Sequence, residues 1–324
     1  MKLASEQHGK DGRLLVVARD LASAAPATAI AATLQDALDR WDQVEPALQA
    51  LYAQLNAGSA PGARPFDSYL LAAPLPRAWQ WLDGSAFATH GELMQRAFGL
   101  PPLESDVPLM YQGMSHSFLG PADPVRLPRE ADGIDFEGEF GVITADVPKG
   151  TAAADAARYI RLAVQINDWS LRALAVPEMK TGFGWIRAKP ACSIAPVAVT
   201  LDELGADWRD GRVLATLEIH RNDECFGRVP ATHMAFGFDA LIAHAAETRS
   251  LCAGTIVGSG TVSSPDYRTT GSCCISERQA IEMIDFGEKR TRFLAFGERV
   301  KMEAWRGNET VPLFGTLDQQ VVQG

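Results

Sequence analysis

Between residues 34 and 55 the apolar side chains Leu34, Leu38, Trp41, Leu48, Leu51, Tyr52 and Leu55 recur at helical intervals, with polar residues between them. That spacing predicts two helices divided at Pro46, because proline suits a first helical turn, with Gly58 closing the second. Before them, "RLLVVA" at 13–18 predicts a short strand. Further on the period becomes alternating. "RVLATLEIHRNDECFGR" at 212–228 alternates, turns at Asn222-Asp223 and returns, which predicts a hairpin. "TIVGSGTVSS", "SCCISERQAIEMI" and "RTRFLAFGERVKMEAW" read as further strands. Helices are expected at about 151–164, opened by Thr151, and about 238–249, opened by Asp239.

"SAPGARPFD" at 59–67 gathers Pro, Gly and small residues, so a boundary is placed near 60–75. The expected organisation is a small N-terminal α/β domain, residues 1–74, and a larger strand-rich domain, residues 75–324. The expected fold class is α+β.

One alternating stretch is hard to place on a surface. In "DGIDFEGEFGVI", at 132–143, Glu137 and Glu139 share one face of a strand with only Gly138 between them. Like charges so close raise each other's pKa, yet the run continues into apolar Val142 and Ile143. A solvated acidic edge strand is one reading. A cation held between the two carboxylates is the other.

Composition narrows the class. A chain of 324 residues, 47% hydrophobic, can bury a sizeable core. A net charge of −10 argues against nucleic acid and an anionic membrane surface as main partners. No apolar run approaches the roughly 18–20 residues of a membrane span. "MKLASEQHGKDGR" is too polar for a signal peptide. The five cysteines, Cys192, Cys225, Cys252, Cys273 and Cys274, show no CxxC pair. They are expected to be reduced thiols of a cytoplasmic protein, and a Cys/His zinc site has no support.

A hard cation needs several oxygen ligands. Two further carboxylates stand in apolar settings. Asp168 lies in "VQINDWSLRAL", and Asp83 lies in "WQWLDGSAFATHGEL" with His90 seven residues on. An ordinary turn explains either one alone. A buried carboxylate that is paired, hydrogen-bonded or metal-bound would explain both.

"YQGMSHSFLGP", "DFEGEF", "NDWSLR", "AKPACSIAPV" and "GSGTVSS", taken together with the Asp83–His90 spacing, resemble the fumarylacetoacetate hydrolase family over about residues 75–305. The N-terminal segment resembles that of the full-length hydrolases. The resemblance implies a mixed β-roll catalytic domain, a homodimer, and one divalent cation, Mg²⁺ or Ca²⁺ with Mn²⁺ able to substitute. It implies Asp83, Glu137, Glu139 and Asp168 as ligands and His90 as general base. It places Lys189 near the leaving group, and Tyr111, Arg172, Gly260 and Thr261 against a small acidic diketo substrate. The chain departs from the family in three places. The family's Gln and Tyr after "NDWSxR" are Ala175 and Met179 here. The glutamate that supports the base falls at Ile275, so Glu277, on the same face of the expected strand, stands in for it. The arginine after His90 is approximated by Arg96.

The activity implied is hydrolysis of a carbon–carbon bond in a β-diketo acid, with fumarylacetoacetate, cleaved to fumarate and acetoacetate in aromatic amino-acid catabolism, as the first choice. Acylpyruvate hydrolysis, oxaloacetate-type decarboxylation and keto-acid isomerisation stay open, because the Gln and Tyr are missing. A ligand-binding protein without turnover is a third class. The intact set Asp83, His90, Glu137, Glu139, Asp168 and Lys189 argues against it.

Overall fold

The computed structural model describes residues 1–99 and 105–324. Its frame is a strand-rich α+β arrangement of a 12-stranded mixed sheet and a 5-stranded sheet. In the large sheet, strands Ile160–Asn167, Gly138–Thr144, Ile256–Gly258, Trp81–Gly84 and Met110–Gly113 lie side by side in that order. The pair Ile256–Gly258 and Trp81–Gly84 is parallel, and the other neighbours are antiparallel. The second sheet contains the hairpin Thr216–Arg221 and Glu224–Pro230, followed by Arg299–Trp305, Leu317–Gln323 and Val125–Leu127. Asn222 turns the hairpin with φ 55°, a conformation that Asn tolerates better than most residues.

The N-terminal strands extend the large sheet: Lys2–Glu6 pairs with Ala198–Thr200 through Lys2↔Val199 and Leu3↔Ala198. Helix Trp41–Asn56 buries Trp41, Val44, Leu48, Leu51, Tyr52 and Leu55, the stripe read from the sequence. The break before it falls at Arg40 and not at Pro46, which lies inside the helix. Pro46 and Asp42, four residues earlier, are both exposed, so the carbonyl that loses its partner is left to water.

Two other expectations are corrected. The helix expected at 151–164 is only the turn Ala153–Ala156 and a 3₁₀ turn, after which Ile160–Asn167 is a central strand. Its neighbours on both sides bury Ile160, Leu162, Val164 and Ile166, and β-branched residues suit that setting. The strand expected in "SCCISERQAIEMI" is helix Ile275–Phe286.

Strand Gly138–Thr144 is buried along its whole length. A Cβ on Gly138 would stand 2.6 Å from Ile219 Cδ1 and 2.8 Å from Leu217 Cδ2 in the second sheet. The glycine between the two glutamates therefore lets the sheets close on one face while both carboxylates project from the other. All five cysteines are unpaired. No helix among the described residues is long and apolar enough to cross a membrane.

Candidate active site

Strand register gathers the site. Gly138↔Asn167 puts Asp168 one residue past its strand, opposite Glu137, whose carbonyl accepts from the Asp168 N–H at 2.9 Å. Gly141↔Gly258 and Gly258↔Asp83 carry the alignment across two more strands, and Asp83↔Tyr111 adds a third. Residues far apart in the chain thus meet at one end of the sheet. A Cβ on Gly258 would lie 2.3 Å from Asp83 Oδ1 and 2.3 Å from the Trp81 ring, so only glycine leaves Asp83 its place.

Asp83, Glu137, Glu139 and Asp168 are all buried, and one carboxylate oxygen from each lies within 4.8 Å of the others. Lys189 Nζ donates to Glu137 Oε2 at 2.8 Å, to Ser170 Oγ at 2.8 Å, and to Asp168 Oδ2. Arg172 donates through Nε to Asp135 Oδ2 at 2.8 Å and through its terminal nitrogen to Glu137 Oε1. The Tyr111 hydroxyl donates to Asp168 Oδ2 at 2.7 Å. Neither oxygen of Glu139 has a hydrogen-bond partner.

These contacts set the charges. Burial alone would raise Glu137, but the Arg172 and Lys189 charges overcome it and hold its carboxyl well below the usual range. Burial, and then repulsion from Asp168, pushes Asp83 well up. Burial and the charges of Asp83 and Asp168 do the same to Glu139. Asp168 is raised by burial, with Lys189 opposing. Burial would lower Lys189, but Asp168 and Glu137 raise it, so it keeps its proton.

The residues fit a hard divalent cation. The donor set is all oxygen. It contains a buried carboxylate with no partner, which is otherwise costly. A carboxyl raised in the fold stabilises the folded state at low pH, and that contribution is lost as pH rises through the folded value. The metal-free protein is therefore expected to lose stability as pH climbs out of the acid range, and a cation to restore it. Because Asp83 and Glu139, the two carboxyls raised furthest by burial and by their neighbours' charges, must be ionised to act as ligands, Mn²⁺ affinity should increase with pH, with proton release. Calorimetry in two buffers of different ionisation enthalpy reads this. Identical apparent heats in both buffers would contradict it.

His90 sits on helix Ala88–Phe98, and its Nδ1 lies 2.9 Å from Glu277 Oε2. Glu277 occupies the first turn of helix Ile275–Phe286, and Leu93 packs with Ala280 and Ile281 where the two helices meet. Glu277 does support His90, but from a helix and not from a strand face. A carboxylate can only accept, so Nδ1 carries the hydrogen, and in the neutral ring Nε2 keeps the lone pair.

Asp83, His90, Glu137 and Lys189 line one cavity of about 280 Å³, together with Tyr111, Arg172, Gly260 and Thr261. Glu139 and Asp168 are fully buried behind it. The structure thus brings together the four carboxylates, His90, Lys189, Tyr111, Arg172, Gly260 and Thr261. The Gly260 N–H is already donated to Asp83 Oδ1 at 3.1 Å. Arg96 is exposed and lies outside the cavity lining. Ala175 lines the cavity, but Met179 is 56% exposed and does not. Asp135 was not among the residues the sequence singled out. Asp135 is fully buried and accepts from Arg172, from Ile275 N–H at 2.7 Å and from Ser276 N–H at 3.0 Å, tying the Glu277 helix to the cluster. The alternation that marked Glu137 and Glu139 reaches it one step earlier.

The family model for the fumarylacetoacetate hydrolase C-terminal region matches residues 80–322, and that for a fumarylacetoacetase N-terminal domain matches residues 1–77. The chain belongs to the fumarylacetoacetate hydrolase family. Curated relatives include the mitochondrial oxaloacetate tautomerases of Xenopus laevis, 25% identical over 48% of this chain and 47% of that protein, and of Rattus norvegicus, 27% identical over 48% of each. The chain thus spans about half the length of these relatives. The family fold is shared with solved structures of similar size. Maleylpyruvate hydrolase from Sphingobium sp. SYK-6, in complex with manganese(II) and pyruvate, has a TM-score of 0.66 at 18% identity, with 100% of both chains covered. The 5-carboxymethyl-2-hydroxymuconate delta-isomerase of Mycobacterium smegmatis has a TM-score of 0.62 at 17% identity, covering 100% of this chain and 99% of that one.

Proposed function

We propose that this chain hydrolyses a carbon–carbon bond in a β-diketo acid with the help of one divalent cation, Mg²⁺ or Ca²⁺, with Mn²⁺ able to substitute. The observation that carries the reading is that His90, paired with Glu277, lines the same cavity as Asp83 and Glu137 of the four-carboxylate cluster. Asp83, Glu137, Glu139 and Asp168 would hold the cation. When bound, it supplies positive charge against the oxygens of a β-dicarbonyl.

The chain's own residues supply the rest. His90 Nε2 takes a proton from water. The water oxygen bonds to the acyl carbonyl carbon, and the bond from that carbon to the methylene breaks. The electron pair passes to the methylene as an enolate, which takes up a proton. The products are a carboxylate and a shorter keto acid, with one proton released. Lys189, held charged beside Glu137, would stabilise the negative charge of the enolate. Arg172 and Tyr111 would orient the substrate.

A panel of fumarylacetoacetate, acylpyruvates and oxaloacetate, run with Mg²⁺ and with chelator, tests the reading. Metal-dependent cleavage of at least one diketo acid is expected, and its absence from all of them would overturn it. The names of the curated relatives favour a second reading, tautomerisation of an oxaloacetate-type acid. In that reaction His90 moves a proton on carbon and no water is consumed, so the same panel separates the two. A homodimer is also proposed, from family membership. Sedimentation equilibrium should give about twice the 35.0 kDa chain mass, and a mass near 35.0 kDa at micromolar concentration would refute it.

A further inference from the structure

Burial divides the cavity into two ends. The carboxylates and Lys189 are buried, whereas Leu109 is 44% exposed and Met110, Ala175 and Trp185 are partly exposed. The mouth is therefore formed largely by apolar side chains. The Trp185 ring meets Tyr111 edge-on at 5.0 Å, and its indole N–H donates to the Ala175 carbonyl at 3.2 Å. Glu178 accepts from the backbone N–H groups of Ile186, Arg187 and Ala188 at 3.0, 3.1 and 3.1 Å, which fixes the segment that carries Trp185.

The cations of the cavity are engaged. Arg172 is held by Asp135 and Glu137, and Lys189 by Glu137 and Asp168. Lys180 and Arg187, close in sequence to Trp185, do not line the cavity, and Arg187 is bound to Glu178 at 3.1 Å. Residues 100–104 read Leu-Pro-Pro-Leu-Glu and contain no cation.

We propose that this mouth is a subsite for an uncharged, flat apolar acyl tail, so that the preferred substrate carries its one carboxylate at the keto-acid end. The inference rests on the proposed hydrolysis and names the substrate class within it. A second carboxylate on the tail would meet a wall of Leu109, Met110 and Trp185, and among the described residues the cations that line the cavity, Arg172 and Lys189, are already paired. Ala175 lines the cavity beside Trp185, and its methyl offers a polar tail no partner.

Two measurements on the full Mn²⁺-loaded chain test this. Benzoylpyruvate should exceed fumarylpyruvate and fumarylacetoacetate in kcat/KM by at least about tenfold. By calorimetry, phenylpyruvate, which cannot be cleaved in this way, should bind at least about tenfold more tightly than 2-oxoglutarate. Ala175→Arg should collapse both ratios by favouring the diacids. Diacids bound as tightly as, or more tightly than, the phenyl compounds by the unaltered chain would overturn the proposal. If no diketo acid is turned over, the hydrolase reading fails while the two affinities still decide the subsite.

Discussion

His90→Ala is expected to slow single-turnover cleavage about 10²–10⁴-fold, the usual worth of a positioned base. Metal affinity should hardly change, because His90 lies outside the four-carboxylate group. Removing the ring also leaves the fully buried Glu277 without its partner, so the melting temperature should fall. A loss of stability alone therefore decides nothing. His90→Gln separates the roles, since its amide can still donate to Glu277 but cannot accept a proton from water at neutral pH. If His90 is the base, the Gln variant regains stability and stays slow. If His90 only packs and pairs, the Gln variant regains both, and the assignment fails.

How far such a site can be read from sequence depends on which physical constraint each residue obeys. Glu137, Gly138 and Glu139 were legible because two carboxylates on one strand face, next to an apolar run, have few stable explanations. The hairpin at Asn222-Asp223 was legible because turn chemistry is local. The helix Ile275–Phe286 was not. Its buried face includes Ser276, Glu277, Gln279 and Glu282, so the apolar period that marks a helix is absent. These polar groups are buried for their contacts. Glu277 meets His90, and Glu282 accepts from the N–H groups of Arg290 and Thr291. Its N-cap is the Cys274 thiol, accepting from Glu277 N–H at 3.2 Å, where Ser, Thr, Asp or Asn would have signalled a start. The 151–164 region failed differently. Its alanines favour helix locally, but a central place in the sheet decides the conformation from Ile160 onward. Asp135 was missed because its partners, Arg172 and the backbone of Ile275 and Ser276, come together only in the fold.

Glu139→Gln tests the cation site with two effects of opposite sign. Gln keeps the shape but removes a carboxylate whose oxygens find no partner in the protein. Loss of groups that merely support metal ligands typically costs about 10–100-fold in affinity, so loss of a ligand should cost at least about 100-fold. Turnover should vanish at ordinary metal concentrations. Without metal the sign reverses. Burial and the charges of Asp83 and Asp168 disfavour an ionised Glu139, and these penalties are absent in the amide. The amide N–H can also donate to a neighbouring carboxylate. The chelator-treated variant should therefore be at least as stable as the chelator-treated parent near neutral pH, by up to about 1–3 kcal/mol, with the gap closing in acid as Glu139 in the parent takes up its proton. Denaturant unfolding with chelator and with Mn²⁺, on both proteins, reads every part of this. If Glu139 is only a structural residue, the variant should be less stable in both conditions and should bind Mn²⁺ as the parent does. A cluster that tolerates the loss of its least satisfied carboxylate without losing metal would have to hold its cation through Asp83, Glu137 and Asp168 alone, with Lys189 still bonded to two of them.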